Sequence, residues 1–202
     1  MDVLPLERRQ VPGAAAVLAQ AFADDEVYRS LWPQPARRAR ALRAFMAIPV
    51  ADAYAHGHVS LVTEGERLIA VAAWLPPGAF PLSARRRARA LPRLARTALA
   101  DPASFPRLAR FGANLEAAFP GDRPAYLAVV GVAPEAQARG VGTAVLEPGL
   151  GFCDEAGSDC YLETASPRAV ALYERLGFAT LSSGDRLLPG GPTHWRMRRP
   201  AS

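Results

Sequence analysis

The stretch from Tyr126 to Leu146 constrains this chain most. It is a continuous apolar run, a short turn, and a Q-x-x-G-x-G sequence that opens a second apolar stretch. Tyr126-Leu127-Ala128-Val129-Val130-Gly131-Val132 has the length and branched content of a strand buried on both faces. The segment from Gln137 to Thr143 then leads into a helix expected over 141–156. Gly140 and Gly142 remove Cβ atoms where backbone must come close to something. The free N–H groups and the dipole of the helix's first turn favour an anion there. A pyrophosphate is the natural guest, and Arg139 is available to add charge. Two other phosphate-binding glycine loops do not fit. The dinucleotide fingerprint lacks its third glycine here and would sit late in the chain, after antiparallel strands. The P-loop needs a phosphate-binding lysine, and all 24 basic residues are Arg.

Downstream, Cys160-Tyr161-Leu162-Glu163-Thr164 reads as a second buried strand. A helix over 167–176 follows Ser166-Pro167 and runs into Tyr173-Glu174-Arg175-Leu176-Gly177-Phe178. This pair of motifs, over about 132–178, resembles the GNAT superfamily of acyl-CoA-dependent N-acyltransferases. There the phosphate loop has the form (Q/R)-x-x-G-x-(G/A), and the later helix ends in a Y-E-R-L-G-F-like run. Further stretches resemble the puromycin-acetylating branch of that superfamily. They include Ala21-Phe22-Ala23-Asp24, Gly142-Thr143-Ala144-Val145 and Gly191-Pro192 with Trp195 and Met197.

The resemblance implies an α/β (α+β mixed) fold: a mixed, mostly antiparallel central sheet of about seven strands flanked by helices. It implies one domain over 1–202, with a helical insertion at about 80–120 before the central strand. The donor would be acetyl-CoA and the released product coenzyme A. Backbone groups of Val130, Gly131 and Val132 would pair with the pantetheine arm like an added strand. Amides of Ala138, Arg139, Gly140, Val141, Gly142 and Thr143 would hold the pyrophosphate. Tyr173 would serve as general acid to the departing thiolate. Ser166 stands where many members place an Asn that contacts the cofactor arm. It keeps a hydrogen-bonding hydroxyl with a shorter reach.

In such chemistry an amine attacks the acetyl carbonyl directly and must first lose a proton. The predicted central strand carries no carboxylate for this. The available groups are Glu163, at the end of the neighbouring strand, Asp24 or Asp25 in the first interhelical loop, His56, His58, His194, or a chain of waters. The acidic run Asp24-Asp25-Glu26 is also expected to draw cationic amines into an acceptor pocket shaped by segments around 24–35 and 76–120. A small-molecule amine, an antibiotic or a biosynthetic intermediate, is the expected acceptor. A protein N-terminus or lysine is the same-fold alternative, and a non-catalytic acyl-CoA-binding module is a third reading.

The remaining elements follow from local pattern. Val3–Leu6 suits a short strand. Pro12 opens a helix carrying Ala14, Leu18, Ala21 and Phe22, and residues 36–54 form another with a kink at Pro49. His58–Thr63 and Arg67–Leu75 are a hairpin about Glu64-Gly65-Glu66. Region 82–119 reads as two helices punctuated by Pro92, Pro102 and Pro106, and 178–188 with 193–198 as a closing antiparallel pair.

Composition narrows the classes. No apolar run reaches the ~18 residues of a membrane span, and the first ten residues lack a secretory layout. Cys153 and Cys160 are too few for a disulfide framework and are not spaced to bind a metal, so two free thiols in a reducing cytoplasm are expected. A net charge of +5 is too modest to imply nucleic-acid attraction without a focused patch. Two arginine-dense stretches stand out, Arg37-Arg38-Arg40-Arg43 and the run from Arg85 to Arg96. They read either as solvated helix faces or as a site for an anionic ligand, and they lack the interleaved aromatics that stack on bases. A homodimer is compatible with all of this.

Overall fold

The computed structural model describes all 202 residues. One seven-stranded sheet organises them, in the order β1-β2-β3-β4-β5-β7-β6. The strands are β1 (Asp2–Pro5), β2 (His58–Glu64), β3 (Arg67–Leu75), β4 (Ala125–Val132), β5 (Cys160–Thr164), β6 (Ala179–Asp185) and β7 (His194–Arg199). Every neighbouring pair is antiparallel except β4 with β5. The expected mixed, mostly antiparallel sheet of seven strands is therefore present. The hairpin of β2 and β3 closes through Gly65 and Glu66, with Glu64 facing Arg67.

Seven helices cover the sheet: α1 (Val11–Ala21), α2 (Glu26–Leu31), α3 (Pro35–His56), α4 (Ala84–Ala100), α5 (Phe105–Ala118), α6 (Val141–Glu155) and α7 (Pro167–Arg175). α1 and α3 pack against β3 on one face, and α6 packs against β2 and β3 on the other. Backbone approach is close on both faces. A Cβ on Gly131 of β4 would lie 2.9 Å from Leu18 of α1, and one on Gly149 of α6 would lie 1.9 Å from the Trp74 indole. The core is one cluster containing Trp74, Leu61, Leu146 and Met197, all fully buried. No helix is long and apolar enough to cross a membrane.

Between β3 and β4 the chain forms α4 and α5, the two helices expected there, and the break falls at Asp101–Ser104, around Pro102. Pro92 lies inside α4. It and Ala88, whose carbonyl loses its helical partner, are both exposed, so the freed carbonyl is open to solvent. The apolar residues of α4 are only partly covered: Leu94 packs on the core, while Leu91 is 57% exposed. Pro49 is likewise accommodated within the continuous helix α3.

Candidate active site

The site originates in the only parallel strand pair. β4 and β5 are in register at Ala125–Cys160 and Tyr126–Tyr161, and the pairing ends there. From Leu127 to Val132, β4 keeps β3 on one edge and has no strand on the other. Ala133 donates its N–H to Ile69 (2.8 Å), which makes Ala70–Val132 a non-hydrogen-bonded pair. Gly131 therefore spends its backbone groups on β3, and alternation turns those of Val130 and Val132 toward the open side. Of the three residues expected to meet a pantetheine arm by backbone, Val130 and Val132 are placed to do so. Gly131 instead lets α1 approach the sheet.

A cavity of about 820 Å³ runs along this open edge, with walls from β4, the 137–143 loop, α7, α2, α3 and α5. The loop is built to present amides. Ala138 takes φ +62°, and Gly140, at φ +78°, is the N-cap of α6, a left-handed position that favours glycine. Gln137 donates its side-chain amide to the Val132 carbonyl at 3.2 Å. The next six N–H groups, from Ala138 to Thr143, donate to no other group of the protein, and the first committed amide is that of Ala144, to Gly140 at 3.2 Å. Ala138, Gly140, Gly142 and Thr143 line the cavity, as do Arg168 and Arg175 of α7. Successive unpartnered amides at a helix start form an anion cradle. Two expected contributors differ. Arg139 lies outside the cavity wall, its guanidinium held by Glu64 of β2 at 2.5 Å, and the Val141 side chain is buried in the core.

Tyr173 lines the cavity from α7, and its hydroxyl makes no hydrogen bond within the protein. Burial pushes its pKa up, so the phenol keeps its proton throughout the neutral range. The ring is fixed edge-on to Phe178 at 5.8 Å. Ser166 is also on the wall, and its Oγ caps α7 by accepting from Ala169 at 3.3 Å, which leaves its hydroxyl hydrogen free to donate.

Glu163 points into the same cavity from β5. Its Oε1 is shut off from solvent and has no hydrogen-bond partner, as is the Tyr161 hydroxyl. Burial pushes its pKa up to about 7, against a lowering influence from the nearby Tyr161 and Tyr126 hydroxyls and Arg196. On β7, Arg196 faces Glu163, so His194 lies diagonal to Glu163 on the same sheet face and also lines the cavity. His194 Nδ1 contacts the Pro192 carbonyl at 3.2 Å, which assigns the proton to Nδ1 and leaves Nε2 basic. Burial holds its pKa below the ordinary imidazole value. The other two histidines are not on the wall: His56 is exposed, and His58 stacks on Phe152 at 5.7 Å.

The acidic run divides. Asp24 is exposed and is not part of the wall, whereas Asp25 is. Asp25 is the N-cap of α2, its Oδ1 accepting from Val27 (2.9 Å) and Tyr28 (3.4 Å). Tyr28 packs edge-on to Phe22 at 5.1 Å and tilted to Phe45 at 6.1 Å. Phe80 and Tyr126, 4.8 Å apart, belong to a second aromatic set on the wall, and α5 adds Phe111, Leu115 and Glu116. Segments around 24–35 and 76–120 thus do shape this part of the cavity. Sequence reading missed Tyr28, Tyr126 and Gln137. Only Gln137 carried a signal, as the first residue of the glycine motif.

Of the ten arginines in the two runs, four make side-chain bonds within the protein. Arg38 is buried and donates to the carbonyls of Ala23 (2.8 Å) and Trp32 (3.0 Å), and Arg37 pairs with Asp101. Arg86 pairs with Asp52 of α3, and Arg87 with Glu116 at 2.8 Å. Arg85, Arg89 and Arg96 are exposed.

A parallel strand pair that parts after two residues thus lies beside a loop of unpartnered amides. The Acetyltransferase (GNAT) family profile matches residues 24–178, and the chain belongs to that family. A segment of 79 residues is 37% identical to mycothiol acetyltransferase of Propionibacterium freudenreichii subsp. shermanii, covering 36% of this chain. The matched segment spans about a quarter of that relative's length, 25%. Among solved structures, a histone-acetyltransferase-related acetyltransferase from Corynebacterium glutamicum aligns with a TM-score of 0.70 and 25% identity over 99% of this chain and 96% of that one. A GCN5-related N-acetyltransferase from Rhodopseudomonas palustris shares the fold at TM-score 0.60 and 11% identity, over 98% of this chain and 94% of its own.

Proposed function

We propose that this chain transfers an acetyl group from acetyl-CoA directly to a primary amine of a small molecule. The observation that carries the reading is the run of six unpartnered amides beside the open edge of β4, which fits a pyrophosphate followed by an amide-bearing arm. Bound there, acetyl-CoA supplies an activated thioester carbonyl. The residues then have distinct tasks. The amides from Ala138 to Thr143 receive the phosphate charge, and the backbone of Val130 and Val132 aligns the arm like an added strand. The Val130 N–H, turned to the open edge of β4, would donate to the carbonyl oxygen as negative charge develops on it. Glu163, half-titrated near neutrality, accepts the amine's proton, and His194 is the next base on the same face. Tyr173 retains a proton for the sulfur that leaves.

Support for a small acceptor comes from the α4–α5 insertion. Phe111, Leu115 and Glu116 of α5 line the same cavity as Tyr28 and Phe45, so the insertion adds side chains that would narrow an acceptor pocket. The test is coenzyme A release from acetyl-CoA with a panel of amines, puromycin first, beside peptides with free N-termini. Small amines that turn over faster than every peptide are the expected result. Preferential turnover of the peptides would replace this acceptor assignment.

A further inference from the structure

Four carboxylates line the cavity: Asp25, Asp52, Glu116 and Glu163. Two are neutralised by the protein itself, since Asp52 pairs with Arg86 and Glu116 with Arg87. Outside the cavity, Asp101, Asp154 and Asp159 also each hold an arginine. Asp25 and Glu163 form no ion pair, in a chain carrying 24 arginines. The charged neighbour of Asp25 is Glu26, of like sign, and burial pushes the Asp25 pKa up. Its Oδ1 is committed to the start of α2, which leaves Oδ2 without a hydrogen-bond donor. Glu163 Oε1 is buried and unpartnered. Tyr28, half-buried, lies near Asp25, and Tyr126, buried, lies near Glu163, both on the cavity wall. Unpaired carboxylates beside aromatic faces form a receptor for organic cations, and this cavity holds two, each with a tyrosine beside it.

We propose that the acceptor carries two cationic centres: Glu163 receives the amine that is acetylated, and Asp25 holds a second ammonium or equivalent cation of the same molecule. The inference rests on the acetyl-transfer reading and narrows its substrate class. In the transfer step the neutral nitrogen forms a bond to the acetyl carbon, the carbon–sulfur bond breaks, the amine proton goes to Glu163 and the sulfur takes a proton from Tyr173. The second cation is not consumed.

The experiment compares α,ω-diaminoalkanes of increasing length with alkylamines of matched length, as acceptors for acetyl-CoA, in wild type and in Asp25→Asn. Asn keeps an oxygen for the α2 cap, so the helix start is preserved. In wild type, kcat/KM should be at least tenfold higher for the best diamine than for its matched monoamine, mainly through KM. In Asp25→Asn that ratio should collapse toward one. A binding readout runs alongside: the diamine should raise the melting temperature of wild type with coenzyme A present and should not raise that of Asp25→Asn. Equal kcat/KM for matched pairs in wild type, or a ratio unchanged by the substitution, overturns the proposal. If no amine of any kind is acetylated while diamines still stabilise wild type and not the variant, the two-cation site stands and the acetyl-transfer reading fails.

Discussion

Gln137 donates its side-chain amide to the carbonyl of Val132 across 3.2 Å, so the last residue of the open strand edge and the first residue of the amide loop are held together. The bond couples two functions, alignment of an extended arm along β4 and reception of phosphate charge by the loop. Gln137→Ala should weaken acetyl-CoA binding severalfold, because the loop loses its tether while each amide survives. Gly140→Asp should abolish binding, since it puts a carboxylate among the amides at a backbone position of φ +78°. Melting temperature against acetyl-CoA concentration measures both, as a ligand of the native state stabilises it by mass action. Undiminished stabilisation in Gly140→Asp would remove the loop from the account.

Glu163 gives a pH signature in the rate. Its carboxyl must be ionised to accept a proton, and its pKa stands at about 7. kcat/KM should therefore fall about tenfold per unit below that value, and Glu163→Gln should be slow and lose this limb. A variant that keeps the acid limb would pass the role to His194.

The same carboxyl gives a pH signature in stability. A folded-state pKa raised above the ordinary 4.5 contributes stability that is fully present below pH 4.5 and is lost as pH rises through about 7. Wild type should lose melting temperature across that window relative to Glu163→Gln, and the variant should be the more stable of the two at pH 8. Parallel curves would mean that Glu163 is solvated.

Arg86 anchors α4 to α3 through Asp52, both largely buried. Removing one partner of a buried pair leaves an uncompensated charge, at a cost of about 3–5 kcal/mol. Arg86→Ala should lower the melting temperature markedly and raise KM for the amine, because Asp52 then faces the cavity unpaired. A variant with wild-type stability would show that the packing of α4 on α3 holds the insertion without this pair.

The later half of the fold was legible because its signals are local. The β4 run, the glycine turn, α6, β5 and α7 follow one another within about fifty residues, each with its own period or punctuation. The hairpin of β2 and β3 was equally plain. What the sequence hid is set by partners far along the chain. Arg139 looked free to meet a phosphate, but Glu64, 75 residues earlier, takes it. The insertion of β7 between β5 and β6 depends on pairing that no local pattern records. Within the acidic run, only the start of α2 distinguishes Asp25 from Asp24.

The central claim is direct transfer with Tyr173 supplying the proton to sulfur. The most direct measurement is a single turnover of the acetyl-CoA complex mixed with amine, quenched and read by mass spectrometry of protein and amine together. Acetyl should appear on the amine at the rate at which coenzyme A is released, with none on the protein. Tyr173→Phe, which keeps the ring against Phe178, should slow that step by roughly 10²–10⁴-fold, the usual contribution of a positioned general acid. An acetylated protein intermediate, or a chemical step in folded Tyr173→Phe within twofold of wild type, would contradict the account.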